Sequence, residues 1–155
     1  MGSLYVATFD GISVAAVCEL FYIKPASNRA VIIHEIKITQ ETSETSEQLP
    51  LQIARTATDQ SAKGTSITPA KLNVNGAATA GATVRSNILT GATFATLGDM
   101  LRVESENVLG GWHYLPTPEC RPAISAGGDG IVVKLKTAPT AALTLDGVLV
   151  FEEVG

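Results

Sequence analysis

Two histidines, two cysteines and one glycine-rich loop are where this chain's residue types and spacing invite chemistry. His34 lies in LFYIKPASNRAVIIHEIKITQ, residues 20–40, and could in principle ligate a metal or act as a base. A metal needs several donors converging on one point, and no second His or Cys lies nearby in the sequence. Glu35 follows directly, but adjacent strand residues point to opposite faces and cannot chelate together. A cupin-type site would need two histidines one residue apart on a strand, a spacing absent here. His34 therefore reads as a core or interface histidine held by a backbone carbonyl.

His113 sits in GGWHYLPTPE, residues 110–119, beside the single Trp and one of three tyrosines. A catalytic role would need an ordered nucleophile, and no GxSxG elbow occurs in the chain. Trp112 and Tyr114 could stack on a sugar. Aromatics on a Pro-braced loop more readily anchor a subunit contact or cap a sandwich end, because they bury much area with few rotors. Arg121 could lower the pKa of Cys120, yet no partner base is placed beside it. Cys18 and Cys120 cannot build a disulfide framework and show no CxxC spacing, so free thiols in a reducing compartment are expected. The loop AGGDG, residues 126–130, precedes a strand, whereas a phosphate cradle needs a helix N-terminus. A lone Asp129 makes a poor calcium site, so the loop reads as a tight turn. No catalytic, metal or cofactor-binding residue is expected.

The elements that carry these residues are strands. Helical periodicity is nearly absent, and short apolar or alternating runs recur at Leu4–Phe9, Ile12–Val17, Leu20–Ile23, Ala30–Thr39, Leu49–Ala54, Ala82–Ile88, Met100–Val103, Ile131–Leu135 and Ala142–Phe151. Gly, Pro, Asn and Asp punctuate them, the pattern of an antiparallel sandwich or barrel. Within Ala30–Thr39, alternation places Ile32, His34, Ile36 and Ile38 on one face and Ile33, Glu35 and Lys37 on the other. Leu20–Gln40 then reads as a hairpin turning at Pro25–Asn28. Another hairpin-length link, Ala138–Ala141, joins the last two runs. In the final run Asp146-Gly147 suggests a bulge, and Glu152-Glu153 a solvated end. Small residues dominate a long excursion at about 57–98, expected to pack short strands on the sandwich edge.

One domain spanning 1–155 fits the length. Only 17% of residues are charged, so the surface is poorly solubilised and suited to contact with other protein. A net charge of −4 with scattered cations argues against nucleic acid as a partner. Glu41, Glu44 and Glu47 form the one charge cluster and read as a solvated loop. The first residues lack the basic and apolar pattern of a signal peptide, and Val6 stands where myristoylation needs Ser or Thr. No apolar run approaches the ~20 residues of a membrane helix, so synthesis and retention in cytoplasm are expected.

Four pieces in order carry a family likeness: YIKPASNRAVIIHEIKI, ITPAKLNVNGAATAGATVRSN, GGWHYLPTPE and IVVKLKTAPTAALTLDGVLVFEE. On these the chain resembles the small jelly-roll proteins that decorate or cement the capsids of tailed bacteriophages. The resemblance implies an all-β, antiparallel β-sandwich of jelly-roll type in a single domain. It also implies a homotrimer bound to the major capsid protein on the virion surface, without catalysis, cofactor, nucleic acid or membrane. Trp112, Tyr114 and Leu115 would be subunit or partner contacts, and Asn73–Asn87 would lie outside the core, open to neighbours. The alternative is a jelly-roll receptor- or glycan-binding module of a tail appendage. A metal enzyme on a cupin-like barrel is disfavoured by the missing ligands.

Overall fold

The computed structural model describes residues 2–41, 46–73, 78–89 and 94–155. Among the described residues twelve strands run in chain order: β1 (Ser3–Val14), β2 (Cys18–Lys24), β3 (Ala30–Gln40), β4 (Gln48–Thr56), β5 (Thr65–Ile67), β6 (Ala70–Lys71), β7 (Thr83–Leu89), β8 (Leu97–Asn107), β9 (Trp112–Tyr114), β10 (Ala123–Ile124), β11 (Ile131–Leu135) and β12 (Leu143–Val154). They form two antiparallel sheets packed face to face. One has the order β10-β3-β12-β1-β6, with β9 also pairing β3; the other runs β5-β7-β2-β11-β4-β8.

Setting aside the excursion strands β5, β6 and β7, and taking β9 with β10 as one position, eight strands remain. Their orders are first-eighth-third-sixth in one sheet and second-seventh-fourth-fifth in the other. Every link except the fourth-to-fifth passes between sheets, which is a jelly-roll wrapping. Residues 25–29 and 136–142 are therefore corners that carry the chain across the sandwich, and neither closes a hairpin. Alternation shows which face of a strand is buried, but hairpins and corners share the same turn residues, so it does not name the neighbour.

The two runs expected at Leu4–Phe9 and Ile12–Val17 are one strand, β1, ending at Val14. Its register against β12 shifts between Phe9 and Ile12, and Gly11 takes a positive φ of 61° there. The bulge suggested at Asp146-Gly147 thus belongs to the opposite strand. Gly147 is needed for space: a Cβ would run into the Phe9 ring and meet Phe21 at 2.8 Å.

A second bulge corrects the face of β3. Val150 pairs with Glu35 but Phe151 with Ile33, so His34 is the extra residue. Val31 and Ile33 face inward before it and Ile36 and Ile38 after it, while Ile32 and His34 lie half-buried outside. The bulge shifts the two-residue period by one, which strict alternation cannot foresee.

Between the sheets lies one apolar core including Tyr5, Phe9, Phe21, Ile33, Ile36, Ile53, Leu135, Leu149 and Phe151. Tyr5 stacks on Phe151 at 5.6 Å, and Phe9 meets Phe21 at 4.8 Å. A smaller buried layer lies outside the second sheet. Val132 faces outward as its alternation predicts, yet it is fully buried, as are Glu19, Tyr22, Ile88 and Gln60. The excursion covers this face: Gly64 packs on Ser86 and Ile88, and the Tyr22 hydroxyl donates to Asp59 at 3.3 Å. The same excursion adds β7 and β5 beyond β2 and adds β6 beyond β1. Those additions cover what would otherwise be open edges. In the stretch expected to lie open at Asn73–Asn87, residues 83–87 belong to β7 and Val84 enters the core; residues 74–77 fall outside the described set.

Candidate functional site

The long edge strand of the second sheet is β8, paired to β4 on one side and to nothing on the other among the described residues. Arg102 and Glu104 lie opposite Ile53 and Leu51 and so share the inner face; Val103 and Ser105, opposite Gln52 and Pro50, share the outer one. Here the two sheets are joined by polar contacts. Trp112 Nε1 on β9 donates to Glu104 Oε2 at 2.7 Å, the Arg102 guanidinium pairs with the other oxygen of Glu104, and Arg102 lies 5.1 Å from the Tyr114 ring centroid. The Arg102 hydrogen bond holds the Glu104 carboxyl below its ordinary range. Burial pushes the Tyr114 hydroxyl upward, with Arg102 opposing.

Of the three expected contact residues, Trp112 and Tyr114 belong to the core and stack on each other at 6.1 Å. Their inward position follows from β9 being a strand, which sends alternate residues to one side; three residues between Gly111 and a Pro-rich loop are too few for a periodic signal. Leu115, just past the strand, is 65% exposed, and Leu109, at the approach to the same strand, is 58% exposed. These two leucines flank β9 on the surface. Compared with family models, curated proteins and solved structures, the chain matches none.

The histidines are each paired with one carboxylate. His34 Nε2 lies 3.0 Å from Glu152 and His113 Nε2 lies 2.9 Å from Glu35. Both pairs are cross-strand neighbours on the outer face of the first sheet; the His34 partner is a carboxylate where a backbone carbonyl was expected. Asp10, Glu41 and Asp146 gather at the β1 bulge, a grouping invisible in sequence because three distant segments supply it. Asp146 already accepts the Gly11 N–H at 2.8 Å. Glu47 accepts the Thr140 N–H at 3.0 Å, so this member of the acidic cluster ties two connections together; Glu44 lies outside the described residues.

Sequence reading also missed two buried carboxylates. Glu153, expected in solvent, faces inward and is 3% exposed. It takes Arg29 at 2.9 Å and the Ala82 N–H at 2.5 Å. Glu19 is fully buried beneath the excursion, where one oxygen accepts the Ala95 N–H at 2.7 Å. Burial raises its pKa, opposed by that hydrogen bond and by Lys134 and Lys63.

The two thiols are both free, with Cys18 buried and Cys120 exposed. Burial, with the adjacent Glu19, pushes the Cys18 thiol up to about 12. Since thiolate is the reactive form, a thiol reagent at neutral pH should label Cys120 alone in the native protein and both thiols in denaturant. Labelling of Cys18 at a comparable native rate would show that β2 opens locally.

Among the described residues no helix is long and apolar enough to cross a membrane.

Proposed function

We propose that this protein is a structural surface module, a decoration or cement protein that adds contact area to a phage capsid lattice and performs no catalysis. The observation that carries the reading is the pair of exposed leucines, Leu109 and Leu115, held at either end of β9. Strand pairing of β9 to β3 and the buried Trp112 and Tyr114 fix this edge in place. Rigid apolar side chains standing off an otherwise lightly charged surface suit repeated protein contact, and many such contacts add through avidity. The jelly-roll wrapping supports the same reading, as do the four sequence pieces that resemble capsid-decorating proteins. The partners on this reading are the major capsid protein and further copies of the chain, a trimer in the family it resembles. The glycan-binding alternative is weakened because its two aromatic platform residues are both in the core.

Sedimentation with assembled phage capsids tests the proposal. The protein should pellet with shells, and Leu115→Ser should weaken that binding several-fold while leaving the circular dichroism unchanged. Absence from the pellet, or binding that Leu115→Ser leaves intact, would overturn it.

A further inference from the structure

We infer that the free edge of β8 is a two-fold contact with a second copy of this chain, centred on Val103. This contact is independent of the capsid reading.

The other edges of the sandwich end in short strands. β5, β6, β9 and β10 are two or three residues each, and such fragments offer little for another strand to pair with. β8 spans eleven residues, with its outer edge unpaired among the described residues. Apolar side chains are concentrated on it: Met100 is 43% exposed, Leu101 37% and Val103 50%. An exposed strand of this kind is a template for another strand, and what it accepts is set by side-chain complementarity.

On the regular side of the Leu101 bulge, among axes at residues 102–105, the charge pattern selects a second copy in one register. When two identical antiparallel strands join by a two-fold axis normal to the sheet, opposed residues share a face, so the axis must pass through a residue. An axis at Arg102 sets Arg102 against its own copy, and one at Glu104 sets two carboxylates against each other. At Ser105 it sets Glu104 against Glu106. Like charges directly opposite are unfavourable in every one of these registers. With the axis at Val103, Arg102 faces Glu104 of the second copy and Glu104 faces its Arg102. Four charges of alternating sign then occupy one face. On the other, Val103 meets Val103 of the second copy, with both Leu101 side chains diagonal to the pair and Ser105 opposite each. Arg102 and Glu104 are already fixed by Tyr114 and Trp112, so little side-chain freedom is lost on pairing.

The ladder would be short. β8 carries a register shift at Leu101 against β4, which twists the strand beyond that point away from a continuous pairing. A contact of about five residues per copy buries less than a permanent interface does, so the dimer should dissociate on dilution. A two-fold contact closes after two copies; on a trimer it would link one trimer to the next.

Light scattering after size exclusion, over a dilution series, tests this. At the concentrated end the mass should approach twice the 16.1 kDa of one chain, or twice that of any larger unit formed through other surfaces. Val103→Lys places two ammonium groups face to face on the axis and should abolish that doubling. The position is exposed, so circular dichroism and melting temperature should hold. A second variant, Val103→Cys in a Cys120→Ser background, should form a covalent dimer on mild oxidation through the introduced thiols. A protein that does not double at any concentration, or doubling that Val103→Lys leaves intact, would overturn the inference, as would failure of the Cys variant to crosslink.

Discussion

Replacing Phe151 with Ala is expected to cost about 3–5 kcal/mol, among the largest losses from a single truncation in this fold. Phe151 is fully buried at the meeting of both sheets' inner faces and stacks on Tyr5 at 5.6 Å. Its strand, β12, pairs with β1 on one side and β3 on the other, so neither flank can close over the vacated volume without moving a central ladder. The aromatic pair itself contributes about 0.5–1.5 kcal/mol beyond burial. Against a total stability of about 5–15 kcal/mol, the loss should lower the melting temperature by about 10 °C. Urea denaturation of the variant beside Val154→Ala, a truncation at an exposed position of the same strand, gives the measurement. A difference of less than about 1 kcal/mol for Phe151→Ala would contradict the sheet-to-sheet packing described above.

Glu153→Ala is expected to cost about 3 kcal/mol, although the position reads in sequence as a solvated end. Its carboxylate is the acceptor for the Ala82 N–H at the entry to β7, and the substitution leaves that buried donor with no partner. It also removes the partner of Arg29, whose salt bridge joins the corner between β2 and β3 to the last strand. Glu153→Gln separates the two contributions. It keeps an oxygen for Ala82 but loses the charge opposite Arg29, so its cost should be clearly smaller and should shrink as salt is added. Equal losses for Ala and Gln would assign the effect to the ion pair alone; no loss for either would place Glu153 in solvent after all. A further expected consequence is faster hydrogen exchange at Ala82 in the Ala variant.

Much of the fold was legible because short alternating runs have a physical meaning. The runs at Leu20–Ile23, Leu49–Ala54 and Ile131–Leu135 fall within β2, β4 and β11, and the run Ala142–Phe151 coincides with β12 from Leu143 onward, since short apolar or alternating runs report burial directly. It failed where one residue was added. His34 on β3 and the Asp10-Gly11 segment on β1 each shift the period, and the shift depends on the partner strand's register. The candidate site was less legible still. Trp112 and Tyr114 are drawn inward by β9 pairing to β3, and Glu104 becomes their polar partner from a strand in the other sheet. Nothing in the local sequence of either segment carries that information.

By itself, then, the sequence determined the class: an all-β chain in one sandwich, with the apolar faces of its unbulged strands and the residue types of its turns. Those properties are local, set by a two-residue side-chain period and by the backbone preferences of Pro, Gly and Asn. Only the tertiary structure decided that the link after Pro25 is a corner between sheets, that residues 57–63 lie over an outer face, and that Glu153 points inward to Arg29. It alone left β8 as the long edge unpaired among the described residues. Each of these depends on which strands become neighbours across large sequence separations, and that choice is made by how the two sheets close over a shared core.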